Sequence, residues 1–583
     1  MTEHVEVLER DGAARLTEVR LDPLIFTPGL IDGRIVDAGS EWATDRPTPD
    51  PDSEVVTLAP HRGLPPGTPT PITEAFSPEP VSIAGPCGCV ITPEQADDLG
   101  ADVYILSTSQ GFAGHARAFV ESIIQTRTAI PSDTGLYLPG IATPANVSML
   151  AYAGVDLVDT VKARIAGSRG QYLTPHGSAS LESLSELPCA CAACERGIDD
   201  FDRNDCMDHN VTVLRGELAT IRQRIQDGRL RDYVSAQCRH VPWLTGALRR
   251  FDQEYAYREV RAPLYRQQDM TATTDDDLNR IAIRRFAGRV TQRYRNRFTV
   301  PLVLLPCSAK KPYGESQSHR QFKRAIDYRA HRVSLSSPVG VVPQELECTY
   351  PAQHYDIPVT GRWSEAEQRF VTDTLQTYLE EQHYPRIIAH VPPGPYRDIV
   401  ESATDPFDIP IEYTVGDHPT TDVSLEALDS ALEGESTFSR SERRRNTVKA
   451  VADYQFGTGA GDAFFPECSV EAPFPKHRVR DDSGEQLATM VPQYGLLALT
   501  LAGARRWDES TVEVKTVTID DFVPHGNVLA PGIVDADPTI RPGDEVIVTG
   551  PSAFGIGRST MHGTALEQST RGVAVDVRHV EEQ

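Results

Sequence analysis

Six side chains with chemistry to offer fall close together in Pro306-Cys307-Ser308-Ala309-Lys310-Lys311-Pro312-Tyr313-Gly314-Glu315-Ser316-Gln317-Ser318-His319. A cysteine thiolate is a soft nucleophile, and a neighbouring cation lowers the thiol pKa. Lys310 and Lys311 are placed to do that to Cys307. His319 is a candidate general acid or base, and Tyr313 and Ser316 can orient a reacting group. The chain holds seven lysines against fifty arginines, so two adjacent lysines beside a thiol depart from its own habit. The alternative is a solvated basic turn next to a buried cysteine.

The flanking residues imply the elements that hold this loop. Val300-Pro301-Leu302-Val303-Leu304-Leu305 is an apolar run of the kind that forms a buried strand. Arg320 to Ala330 reads as a helix, with Phe322 and Ile326 on one face. Loops at the carboxyl ends of strands are where open α/β sheets build sites. Downstream come Val333 to Val342, Pro343 to Glu347, Tyr355 to Gly361, a Ser364-capped helix to Gln382, and strands at Arg386–Val391 and Ile411–Val415. These predict a small doubly wound sheet. Glu345, Glu347, His390 and Tyr396 fall at its strand ends or loops, where they could join Cys307.

A second constellation points to a metal. Cys189-Ala190-Cys191-Ala192-Ala193-Cys194 is a CxCxxC knuckle, and His209 follows it. Three thiolates and an imidazole complete a tetrahedral Zn²⁺ shell, a closed and therefore structural arrangement. Cys206 is the rival fourth ligand. His209 is expected to begin an amphipathic helix carrying Val211, Leu214, Leu218, Ile221 and Ile225, stopped at Asp227-Gly228. Cys87-Gly88-Cys89 has no partners at suitable spacing and reads as a tight turn with small buried thiols.

Ten cysteines in 583 residues do not make a disulfide scaffold, and their clustering suits a reducing compartment. The formal net charge is −26. An acidic surface with arginine in place of lysine resembles halophilic, archaeal proteins, where the global sign serves solubility and does not exclude an anionic partner. Met1 to Arg20 lacks an apolar signal core, and no run has the roughly 18 apolar residues that span a membrane. A cytoplasmic protein without a membrane partner is expected.

The remaining chain divides by composition. Residues 39–80 are Pro/Thr/Asp-rich and read as a long loop or linker. Strand and helix alternate from Val103 to Asp159, as in a parallel sheet or part of a barrel. Arg280 to Arg297 holds seven arginines, either a phosphate-tracking surface or a solvated helix face. Residues 416–443 are acidic and Ser-rich, a plausible linker. Gly457-Thr458-Gly459-Ala460-Gly461 has no strand before it and no Lys-Ser/Thr after it, so it is no phosphate loop. Residues 510–583 alternate short strands and turns, as in a small β-barrel.

Several stretches resemble archaeal tRNA-guanine transglycosylases: Gly154–Asp159, Gln171–Gly177, the knuckle with His209-Asn210, and Ala452–Gly457. The tail, Ile540–Val546 and Gly572–Val575, resembles a PUA domain, a pseudo-barrel that binds tRNA. The opening loop matches the PC-x3-KPY-x2-S-x2-H signature of the archaeosine synthase family, paralogues of the transglycosylases. Together these imply a multidomain α/β chain. Residues 1–265 would be a degenerate TIM-barrel-like transglycosylase domain with the zinc knuckle. Residues 266–420 would be a central doubly wound α/β catalytic domain, 444–508 a small α+β module, and 509–583 a C-terminal PUA β-barrel. Asp159 matches the transglycosylase nucleophile position. No Asp-Ser-Gly-type segment supplies the second catalytic aspartate, so base exchange is not expected.

The resemblance implies addition of an amine to the nitrile of 7-cyano-7-deazaguanine in the tRNA D-loop. The nitrogen donor would be free lysine or glutamine-derived ammonia. No recognisable glutaminase domain is present, which favours lysine, with a separate radical-SAM enzyme cleaving the adduct; a homodimer is also compatible. In this reading Cys307 attacks the nitrile carbon and the incoming amine displaces it. The alternatives are direct amine addition, a base-exchanging ribosyltransferase, and a noncatalytic tRNA-presenting subunit.

Overall fold

The structure is a computed structural model, and it describes residues 2, 4–37, 39, 54–61, 68–75, 80–81, 85–107, 109–358 and 362–583. The described chain forms two compact units. One holds Met1–Pro263, Asn527–Pro542 and Thr560–Val575; the other holds Leu264–Gly526, Gly543–Ser559 and Asp576–Gln583.

The first unit is organised by seven parallel strands: β1 (Gly29–Leu30), β2 (Ile35–Asp37), β3 (Val56–Leu58), β4 (Cys87–Ile91), β5 (Val103–Leu106), β6 (Gly135–Tyr137) and β7 (Leu157–Val158). Their order in the sheet is β1-β7-β6-β5-β4-β3-β2, the chain order rotated by one place. A closed barrel has that cyclic order. Here β1 and β2 remain unpaired with each other among the described residues, so the sheet is an open, degenerate barrel. The helix Ala116–Ala129 buries Phe119, Val120 and Ile123, and Val147–Ala153 is buried along its whole length before Gly154 ends it at φ +112°.

Three expectations change in this unit. Most of the 39–80 segment lies outside the described residues, but Val56–Leu58 is a buried strand of the sheet and Thr70–Ala75 is a helix. The Val55-Val56-Thr57-Leu58 run is the apolar island that permits the strand. Cys87-Gly88-Cys89 is no turn: it opens β4, with both thiols buried. The helix α1 (Arg203–Gln226) begins six residues before His209, because Asp202 caps it and Asp205 completes a reciprocal capping box.

In the second unit, β8 (Leu302–Pro306), β9 (His331–Ser336), β10 (Gly340–Pro343), β11 (Ile387–Ala389) and β12 (Ile411–Tyr413) form one sheet in the order β10-β9-β8-β11-β12. Only the edge strand β10 is antiparallel. The central strand alternates strictly. Val303 and Leu305 pack with Phe322 and Ile326 of α2 (Gln317–Ile326) and with Leu428 and Leu432. Leu302 and Leu304 face the other core, with Val371, Leu375 and Tyr378 of α3 (Glu365–Glu381) and Ile399 and Val400 of α4 (Pro395–Thr404). Both faces are covered, which is why β8 is a continuous apolar run.

Residues 416–443 are not a plain linker. Thr421 caps the helix Asp422–Ala431, which buries Leu428 on the sheet, and α5 (Arg440–Phe456) starts under a Ser439–Glu442 capping box. The leucines at 425, 428 and 432 sit at helical spacing, which outweighs the acidic composition. Beyond α5 comes a four-stranded antiparallel sheet, Ser469–Glu471, Arg478–Arg480, Gln486–Val491 and Leu496–Leu499. Thr516–Ile519, Glu545–Gly550 and Ala553–Ser559 then form a mixed ladder. No described helix is long and apolar enough to cross a membrane.

Candidate functional site

Strand order reverses beside β8: β9 lies on one side and β11 on the other. Such a switch point leaves a crevice at the carboxyl ends of the two strands. Cys307 is the first residue past β8, held by its N–H to Leu335 O at 3.1 Å. A cavity of about 540 Å³ opens there, lined by Cys307, Lys311, Trp363, Glu367 and Tyr396 among others. Small-molecule sites have volumes of this order.

Tyr396 enters from the first turn of α4, and its hydroxyl lies 3.3 Å from Cys307 Sγ. Burial raises the Tyr396 pKa, with Cys307 adding to the effect, so the phenol keeps its proton and can donate it to a sulfur that becomes a thiolate. Lys311 lies with Nζ 4.0 Å from the centre of the Tyr355 ring. Burial lowers its pKa, and the nearby Cys307 opposes that shift. Burial also pushes the Cys307 thiol up; Tyr396, Ser336 and Lys311 pull it down without prevailing. The expected lysine effect therefore exists, but desolvation outweighs it and the resting group is a thiol. Tyr355 is buried beneath Lys311, bonded to Tyr313 at 2.5 Å and to Ser336 at 2.7 Å.

Ser308 and Ala309 line the cavity beside Cys307, whereas Lys310, Ser316 and His319 build the loop instead. Lys310 is exposed and reaches Glu315 at 3.5 Å. Ser316 caps α2, accepting from His319 N at 3.2 Å. His319 is buried, and its Nε2 donates to Pro306 O at 2.9 Å. That bond ties the first turn of α2 to the end of β8. Burial drops its pKa to about 3, with Arg332 assisting, so it is a neutral fastener and not a proton carrier in the cavity. A methyl group at Gly314 would meet Lys323 Nζ and Glu347 Oε1, the ends of two side chains that would have to shift to admit it.

Of the four residues placed at strand ends, only Tyr396 meets Cys307. Glu345 is buried against His331 at 3.0 Å and Tyr294 at 3.2 Å. Glu347 accepts from Gly314 N at 2.9 Å. His390 is bonded at 2.8 Å to both Thr414 Oγ1 and Pro419 O. Trp363 and Glu367 escaped the sequence reading. Their signal was the cap of α3: Glu367 closes a capping box with Ser364, and that box delivers both residues to the cavity wall.

The knuckle is a separate centre in the first unit. Cys189, Cys191, Cys194 and His209 bring their ligand atoms within 4.8 Å of one another. His209 Nδ1 lies 3.5 Å from Cys191 Sγ and 3.3 Å from Cys194 Sγ. Tetrahedral Zn–S and Zn–N bonds would separate such atoms by roughly 3.6 Å, so the donor set fits. His209 Nε2 donates to Leu173 O at 2.9 Å, which leaves Nδ1 free to ligate, as an oriented metal histidine requires. Cys206 turns away, its thiol 3.5 Å from Gln171 O.

Comparison with known proteins now bears on the whole chain. Residues 93–242 match the family model for queuine tRNA-ribosyltransferase, 446–513 the patch-forming domain C2 of tRNA-guanine transglycosylase, and 511–580 the PUA domain. Residues 283–432, which contain Cys307, match a domain of unknown function (DUF5591). An archaeosine synthase of Haloferax volcanii is 56% identical over 100% of both chains. The chain belongs to the archaeosine synthase family. An archaeosine synthase subunit alpha of Methanosarcina acetivorans is 42% identical, again over 100% of both chains. An archaeosine synthase of Methanocaldococcus jannaschii is 28% identical over 82% of this chain and 80% of its own.

Membership in the archaeosine synthase family makes the chain an enzyme of tRNA modification and leaves two older features to place. Asp159 stands just past β7, at the carboxyl face where barrels carry chemistry. Its Oδ2 accepts from Tyr137 OH and Gly140 N, both at 2.7 Å, and its Oδ1 from Val161 N at 2.9 Å. Those bonds tie the buried Asp159 side chain to the end of β6 and the loop after it as well as to its own loop. In the Arg280–Arg297 segment, Arg280, Arg285 and Arg289 are buried, and Arg297 pairs with Asp453 at 2.8 Å. Only Arg284 and Arg295 of the seven are exposed, too few for a continuous phosphate track.

Proposed function

We propose that this chain adds an amine to the nitrile of 7-cyano-7-deazaguanine carried by tRNA, and that the reaction takes place in the Cys307 cavity. The observation that supports the site is the switch-point placement of a thiol whose sulfur is bonded to Tyr396 and lies near Lys311. Cys307 Sγ attacks the nitrile carbon. One C≡N π bond breaks, an S–C bond forms, and the thiol proton passes to the nitrile nitrogen, giving a thioimidate. Lys311, lowered by burial, carries that proton. The donor amine then adds to the same carbon, the C–S bond breaks, and the proton lost by the amine returns to sulfur. The product is an amidine and the thiol is regenerated.

Free lysine is the favoured donor and glutamine-derived ammonia the other. With lysine, a radical-SAM enzyme would complete the formamidine, and the name "subunit alpha" of the Methanosarcina acetivorans relative accords with a working partner. Zn²⁺ held by Cys189, Cys191, Cys194 and His209 would pin α1 to the knuckle, a structural role. The test is nucleoside mass spectrometry after incubating the protein with nitrile-bearing tRNA and either lysine or glutamine. A lysine adduct on the modified base supports the reading. An unchanged nitrile with both donors, under conditions where the tRNA binds, refutes it.

A further inference from the structure

A hairpin in the first unit carries charge that the chemistry above does not use. Strands Val5–Asp11 and Ala14–Val19 pair antiparallel, and Arg10 stands directly opposite Arg15. Like charges at facing positions oppose strand pairing. Arg15 is compensated: its Nε and Nη2 reach the Asp156 carboxylate at 3.2 and 2.6 Å, and Nη2 also donates to Thr134 O at 2.7 Å. Arg127 donates to the same carboxylate. Arg10 differs. Its Nη2 is sealed from solvent and has no hydrogen-bond partner among the described residues. Asp133 acts on it through space, yet Asp133 Oδ1 is left unpaired as well, while its Oδ2 is occupied by Thr570 at 3.0 Å.

These groups frame a small cavity of about 30 Å³ lined by Arg10, Arg15, Arg127, Arg261, Ser132 and His562, with no carboxylate among its lining residues. Arg261 is held over the Tyr257 ring at 3.8 Å and donates to Tyr257 O at 2.9 Å. At Gly12, on the cavity's lining at the hairpin turn, an added Cβ would meet nothing within 4 Å, so that edge borders open space. Arg15 and Arg127 share the single Asp156 carboxylate, so four guanidinium groups converge with one directly bonded acid between them, and this surplus of positive charge, in a chain of net charge −26, forms an anion site. The volume admits one or two oxygen-sized atoms, and guanidinium groups favour phosphate oxygens.

We propose that this cavity binds an oxygen of a phosphate-class oxyanion, either a backbone phosphodiester of tRNA or free inorganic phosphate. The volume suits a phosphate that inserts one oxygen and leaves the rest of the group outside. The first source rests on the tRNA reading above; the second does not.

The experiment uses the full chain as wild type, Arg10→Gln and Arg10→Lys. One arm measures tRNA affinity across salt, and the other measures thermal unfolding with and without inorganic phosphate. A tRNA phosphodiester predicts that Arg10→Gln binds several-fold more weakly and loses about 1 from the slope of log K against log salt, with Arg10→Lys restoring most of the slope. Free phosphate predicts a phosphate-dependent rise in the wild-type midpoint that Arg10→Gln abolishes. A wild-type slope in Arg10→Gln, together with no phosphate response in the wild type, overturns the proposal. So does an Arg10→Gln chain that is less stable than wild type without any anion, since relief of the Arg10–Arg15 repulsion should leave it at least as stable. If wild-type protein does not bind tRNA at all, the tRNA reading fails and the phosphate arm still decides this one.

Discussion

Acidification should unfold the central domain well before its carboxylates protonate, because it contains histidines that can hold only one proton. His319 is fixed by its bond to Pro306 O and has its pKa depressed to about 3 by burial; His390 lies between Thr414 and Pro419 O with its pKa at about 4. In the unfolded chain both return to about 6.5. A depressed folded pKa means that the unfolded state binds the proton first. The stability each histidine contributes is therefore complete above pH 6.5 and is lost as pH falls from there toward the folded value. At pH 5 the loss is about 2 kcal/mol per histidine, and about 4 kcal/mol for the pair if they add. Asp453 works the other way, since burial raises its carboxyl pKa despite Arg297, while His477, lowered by burial to about 4, adds to the loss, so the figure is that of the His319–His390 pair alone. Urea unfolding followed by circular dichroism at pH 7.5 and pH 5 measures the change. The chain His319→Phe keeps an aromatic ring between Tyr313 and Phe322 and should lose about 2 kcal/mol less than wild type over that interval. Equal losses in the two proteins, or a His319 proton titrating near 6.5 by NMR, would refute the argument.

Two further outcomes follow from the same geometry. Lys311→Ala should lower turnover by about a hundredfold or more, whereas Lys310→Ala should change it less than about twofold, because Lys310 is exposed and directed to Glu315; steady-state kinetics on nitrile-bearing tRNA separates them. Chelation, or His209→Ala, should release the metal and lower the melting temperature of the full chain, while Cys206→Ser should retain full metal content by elemental analysis, since Cys206 faces Gln171 O.

The sequence disclosed the frame of the site better than its lining. The run Leu302–Leu305 and the spacing of Phe322 and Ile326 implied a strand, a loop and a helix, and the structure places Cys307 at their junction at the switch point. Order within the loop was not legible, because alternate loop residues face opposite ways and only tertiary packing decides which. Thus Lys311 reaches the cavity while Lys310, its neighbour, does not. His319 looked like an acid–base group by type and proved to be a fastener, since only the fold shows that Pro306 O waits for its proton. Trp363 and Glu367 are separated from Cys307 by more than fifty residues, and no local pattern joins them. The knuckle was the opposite case. Four ligands of two types at short spacing constrain one another, and the rival Cys206 was excluded only by the helix register.

The most direct test of the covalent route is intact-protein mass spectrometry of denatured protein after incubation with nitrile-bearing tRNA in the absence of donor amine. The account predicts a protein–nucleic-acid adduct that maps to Cys307 after nuclease digestion, disappears on adding the amine, and is absent from Cys307→Ala, whose turnover falls by about a thousandfold or more. No adduct in the wild type together with full turnover in Cys307→Ala would contradict it.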